Sequence, residues 1–109
     1  MKKLTYFMDT NSLEAVQMSS DYVDVRSLSA NIAKVFNKPA TARFVRLSAG
    51  QLFFYCTTGA ASASATDVTT GLGSISVPAT VQPFFMVEDL TSISVVSQSP
   101  GIVSAEWWA

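Results

Sequence analysis

At 109 residues the chain has room for one domain, residues 1–109, with a single core that needs no staples. Seven Lys and Arg against eight Asp and Glu leave a formal charge of −1, which argues against nucleic acid or an anionic membrane surface as a partner. Histidine is absent, and with it go the usual general base, the Ser-His and Cys-His nucleophile systems and the commonest zinc ligand.

The chain opens on MKKLTYFMDTN, where only five residues separate the lysines from Asp9 and Thr5 interrupts them. That is too short for the apolar region of a signal peptide, so the mature chain is expected to begin at Met1, in a cytoplasm. Asp9-Thr10-Asn11 starts like a calcium loop but puts Leu13 where an oxygen ligand is needed and Glu14 where glycine is required. Val23 and Val25 then alternate with Asp24 and Arg26, the mark of a half-buried strand. Residues 28–37 are the one helical candidate: Leu28, Ile32, Val35 and Phe36 fall at helical spacing, and Lys38-Pro39 would stop the helix. A strand through the same residues is the other reading.

ARFVRL (42–47) places one arginine on each face of a strand, and Ser48-Ala49-Gly50-Gln51 reads as a short hairpin with Gly50 free to take positive φ. LFFYC (52–56) and PFFMV (83–87) are apolar on both faces. Such a strand must be covered twice, the outer layer being either another part of the chain or a neighbouring subunit. Cys56 lies inside the first of these runs and reads as a small core residue; as the single cysteine it excludes an intrachain disulfide.

Residues 57–74 are low in complexity and hold no aromatic side chain. Structureless loops longer than ~12–15 residues are usually functional or disordered. This one is either a free loop or an arm ordered against a neighbour, with Val68 and Leu72 as its pins. Further on, Ile75, Val77 and Val81 share one face, and Ile93 and Val95 alternate with Ser92 and Ser94. Pro78 and Pro83 mark edges or bulges, and Ser99-Pro100-Gly101 is a turn.

In the last strand Val103, Ala105 and Trp107 oppose Ser104 and Glu106. Trp107 and Trp108 point to opposite faces, so one is expected in the core and the other outside, as an intersubunit anchor or a sugar platform. Tyr22 and Tyr55 read as core-edge residues with polar tips. The pattern as a whole predicts an all-β protein: an antiparallel β-sandwich, jelly-roll or Ig-like, with at most one short helix.

Chemistry is mostly missing. Asp21 and Asp24, like Glu88 and Asp89, diverge on an extended chain, and Gly71-Leu72-Gly73 lacks the third glycine of a dinucleotide fingerprint. No catalytic residue, cofactor or metal site is expected, and the chain is not expected to be an enzyme. No apolar run approaches the ~20 residues of a membrane span. Charged residues make up only 14% of the chain against roughly 25% in ordinary domains. Such a surface is weakly protected against self-association, so assembly and a neutral Ser/Thr-coated domain explain it equally well.

ATARFVRLSAG (40–50), FFYC, ATDVTTGLGSISV (65–77) and TSISVVSQSPGIVSAEWW (91–108) together resemble small tailed-phage virion proteins over the last two-thirds of the chain. The resemblance implies a structural component of a phage particle, assembled in a host cytoplasm. The expected role is a capsid decoration or cement protein that stabilises the head. The alternatives are a head–tail joining, tail or fibre-associated virion protein and, in another class, a carbohydrate-binding β-sandwich using Trp108 or Tyr55. The expected partners are further copies of the chain, as a homo-oligomer such as a trimer, and other virion proteins such as the major capsid protein. Phe53, Tyr55, Val68, Leu72, Phe84, Phe85 and Trp108 are the candidate interface residues.

Overall fold

A computed structural model describes residues 1–4, 19–64 and 66–109 with their side chains, and the backbone of 6–8 and 15–17. The incomplete calcium loop at residues 9–14 lies outside the described residues, as does Ala65, which opens the phage-like turn.

Two short strands, β1 (Tyr6–Met8) and β2 (Ala15–Gln17), pair as a separate antiparallel ribbon. Eight more follow: β3 (Tyr22–Leu28), β4 (Lys34–Asn37), β5 (Phe44–Ala49), β6 (Phe53–Cys56), β7 (Ile75–Val77), β8 (Phe84–Met86), β9 (Ser92–Val96) and β10 (Gly101–Trp108). They form two antiparallel sheets, ordered β3-β10-β5-β8 and β4-β9-β6-β7. Consecutive strands mostly alternate between the sheets, while β3 pairs with β10, β4 with β9, β5 with β8 and β6 with β7. The chain is thus one long antiparallel ribbon rolled up so that β10 also meets β5 and β9 also meets β6. That winding is the jelly roll, the first of the two expected sandwiches.

Period-two alternation builds the core between the sheets. Val45 and Leu47 of β5 and Val103, Ala105 and Trp107 of β10 face Phe36, Phe53, Ile93 and Val95 of the other sheet. All are buried. The expected alternation of β9 and β10 is therefore what fills the interior.

Three local expectations are corrected. Residues 28–37 form no helix. Leu28 ends β3, a turn closes with Ile32 N–H donating to Ser29 O at 3.3 Å, and β4 follows. Asn31 takes φ 61° at the third position of this turn, where a type II turn needs positive φ. The helical spacing was coincidental: Phe36 is buried, but Ile32 and Val35 are exposed. Likewise, residues 48–51 are not a hairpin, because β5 and β6 belong to different sheets and the segment is the corner between them. Among the described glycines positive φ falls on Gly71 (86°), not on Gly50.

The third correction concerns β3. Asp24 pairs with Ala105, whose side chain faces the core, so Asp24 and Arg26 take the inner side and Val23 and Val25 the outer. This is tolerated because β3 is an edge strand, where the inner side opens on the lateral seam of the sandwich. There Trp107 Nε1–H donates to Asp24 Oδ2 at 3.0 Å and Arg26 Nε–H to Val35 O at 3.0 Å.

Candidate binding surface

The two sheets cover their outer faces differently. On β4-β9-β6-β7 the outward residues Cys56 and Val96, with Phe54, are packed under Ala61 and Ala63 from the low-complexity segment. Ala61 N–H donates to the buried Ser94 Oγ at 2.8 Å, and Ser62 N–H to Ser74 Oγ at 2.9 Å. From Phe53 to Cys56 the run LFFYC is therefore covered twice by its own chain, while Leu52 at its start stays exposed. The small side chains of residues 59–64 allow the segment to lie flat against the sheet. Val68 and Leu72, expected as pins, are exposed.

Cys56 is only 5% exposed. The Thr58 hydroxyl, 3.3 Å from its sulfur, draws the thiol below its ordinary range against the opposing effect of burial.

Among the described residues nothing comparable covers the two edges of the outer face of β3-β10-β5-β8. Register places Val23, Glu106, Arg46 and Phe84 in one row across the four strands. The next row holds Trp108, Phe44 and Met86. Val25 and Ile102 continue the face on the β3 side. Met86 is 57% exposed, Phe84 36%, and Val23, Val25 and Ile102 are about half exposed. Between the two apolar margins Arg46 and Glu106 form an ion pair directly across β5 and β10.

Trp108 sits on this outer face, as the alternation required, yet it is 0% exposed. The Arg46 guanidinium lies 5.6 Å from its ring centroid, and Phe84 meets it edge-on at 5.6 Å. Phe44 stacks on Phe84 at 6.0 Å. The expectation that one tryptophan lies outside and available is thus corrected, since both are enclosed and Trp108 offers no ring face to a sugar. Phe53 is also fully buried and presents nothing to a partner. Of the candidate interface residues, Phe84 alone lies exposed on this face. Val23, Val25, Ile102 and Met86 were missed, although the two-sided run PFFMV carried the signal for Met86.

A cleft of about 460 Å³ opens at the other margin, lined by Tyr55, Ile75, Phe85, Met86, Glu88 and Asp89 among others. Phe85 stacks on Tyr55 at 5.3 Å with the rings 9° apart, which places these two candidates side by side at the sandwich mouth. Burial pushes the Tyr55 phenol above its ordinary range. Glu88 is paired with Arg43. Among the described residues no cluster of His, Cys, Asp or Glu could hold a metal ion, and no helix is long and apolar enough to cross a membrane. No protein-family model, no curated protein and no solved structure matches this chain.

Proposed function

We propose that the chain is a structural component of a bacteriophage particle, a decoration or cement protein that docks on the assembled head. The observation that carries this reading is the inequality of the two outer faces. One is covered over β6 and β9 by the chain's own Ala61 and Ala63 and exposes Val35 at its β4 edge, while the other keeps the larger group Phe84, Met86, Val23, Val25 and Ile102 at the surface. Apolar side chains grouped around a central ion pair suit a contact that is repeated many times over a shell. The fold adds an analogy, since jelly rolls recur in virion proteins, although fold by itself does not assign function.

Co-sedimentation with expanded phage capsids that lack this chain tests the reading. The wild type pellets with the capsids, and Met86→Lys weakens retention by about tenfold or more. Leu72→Lys, at a more exposed residue away from the face, leaves retention unchanged. Wild-type protein that stays in the supernatant overturns the proposal. Density at the tail vertex instead of over the shell would move the protein to the head–tail joint.

The Tyr55 cleft favours a second reading, a carbohydrate-binding module, because aromatic walls beside the Asp89 carboxylate suit a pyranose ring with its hydroxyls. Glycan binding that is lost in Asp89→Ala would support it, and flat binding curves for the wild type would remove it.

A further inference from the structure

Among the described residues the longest free edge is β3, whose one neighbour in its sheet is β10. Which of its backbone groups are free follows from the ladder. Arg43 N–H donates to Trp108 O, so the amide of Trp108 faces β5 and that of Trp107 faces β3. By alternation Trp107, Ala105, Val103 and Gly101 bond their partners Tyr22, Asp24, Arg26 and Leu28. The N–H and C=O groups of Val23, Val25 and Ser27 therefore point away from the sheet. The Lys34 ammonium, which reaches Ser27 O at 2.6 Å from outside the ladder, agrees with this orientation.

The side chains flanking these groups are self-complementary. If two β3 strands pair antiparallel about a twofold axis at Val25, Val25 meets its own equivalent and Val23 meets Ser27 through the outward amides. Asp24 then lies directly opposite Arg26 of the second copy, and Arg26 opposite Asp24. These fall at the non-hydrogen-bonded positions, where opposed side chains come closest, with Cα atoms ~4.5 Å apart. A register centred on Asp24 sets two carboxylates face to face, and one centred on Arg26 sets two guanidinium groups face to face. Registers centred on Val23 or Ser27 set Asp24 opposite Tyr22 or Arg26 opposite Leu28 and form no Asp24–Arg26 pair, so the Val25 register is the one that charge favours.

Both groups keep capacity for the new bond. Asp24 uses one carboxylate oxygen for Trp107 Nε1, and Arg26 uses Nε for Val35 O, leaving the other oxygen and the terminal nitrogens. Ser27 O, held by Lys34, has a second lone pair.

We infer that β3 is a homodimerisation edge, joining two copies through β3–β3 pairing centred on Val25 and locked by reciprocal Asp24–Arg26 ion pairs. The product is one continuous sheet across both subunits, closed by its twofold symmetry so that no β3 edge remains free. Its outer side joins the Val23, Val25 and Ile102 margins of the two copies into a single apolar strip.

Sedimentation equilibrium over concentrations up to about 1 mM covers the affinity expected of an interface below ~1,200 Å². The wild type is expected to dimerise. Arg26→Asp, which sets Asp24 against a carboxylate, weakens the dimer by about tenfold or more, and Asp24→Arg combined with Arg26→Asp restores it. Val25→Pro, which removes an outward N–H from an edge strand without touching the β10 ladder, also gives a monomer with an unchanged circular dichroism spectrum. A wild type that stays monomeric or forms a trimer overturns the inference, as does a dimer indifferent to both Arg26→Asp and Val25→Pro. Dimerisation needs no capsid, so its failure is read separately from failure to co-sediment.

Discussion

Arg46 does two things at once: its charge pairs with Glu106, and its flat guanidinium roofs Trp108. The ion pair, only partly shielded from water, contributes about 0–1 kcal/mol, whereas the packing of the guanidinium keeps water off an indole. Arg46→Ala is therefore expected to raise acrylamide quenching of tryptophan fluorescence, while Glu106→Ala, which leaves the roof in place, changes it little. Equal quenching in the two variants would show that the ion pair, not the packing, holds Arg46 over the ring.

Tyr55 makes a pH-dependent prediction. Because its folded-state pKa is raised by burial, the folded protein holds the phenolic proton more tightly than the unfolded chain. The associated stability is present below the ordinary value of about 10 and is lost as the pH rises through the raised value. Thermal melts should show a steeper alkaline decline for the wild type than for Tyr55→Phe, and identical slopes would contradict this. That the two tryptophans point to opposite sides was legible from alternation; the sides of Arg46 and Tyr55 were not, because their runs do not alternate. That Trp108 would be enclosed was not, because its cover comes from Arg46 on β5 and Phe84 on β8.

Among the elements, the low-complexity segment is the one whose role changed most. Nothing in a run of Gly, Ala and Ser announces packing, yet small side chains are what let residues 59–64 lie on the sheet over Cys56 and Val96. Ser94 is the fastening point. Ser94→Ala leaves the buried Ala61 N–H without its acceptor and should cost about 1–3 kcal/mol in denaturant unfolding. Native-state hydrogen exchange at Ala61 should accelerate by more than at Val95, which lies in the same strand as Ser94 but within the core. A neutral Ser94→Ala would mean that the segment is held by its alanine contacts alone. Residues 28–37 carry the opposite lesson, for a helix-like spacing of apolar residues was overruled by an Asn turn and by pairing of β4 with β9.

For the whole molecule, the rolled ribbon makes contacts that are remote in sequence. Tyr22 pairs with Trp107 and Lys34 with Val95, so loop closure precedes most of the stabilising contacts. Refolding followed by tryptophan fluorescence is expected on the millisecond-to-second scale of all-β topologies, and microsecond folding would contradict the topology. The scarcity of charge also acts at this scale. A jelly roll has two outer faces, and this chain has little charge with which to solvate both. It covers the middle of one and leaves the other, among the described residues, with an apolar margin on each side of the Arg46–Glu106 pair.

The sequence by itself determined the all-β sandwich and the strands of its interior, because period-two alternation and turn residues act locally and read directly as burial. It also established the missing histidine and the two strands apolar on both sides. Only the tertiary structure decided which of those strands is covered from within, which side of β3 faces the core, and that both tryptophans are enclosed. Each of these depends on the register between strands distant along the chain, and a shift of one residue there exchanges the two faces. Alternation says that two faces exist; pairing decides which one meets the solvent.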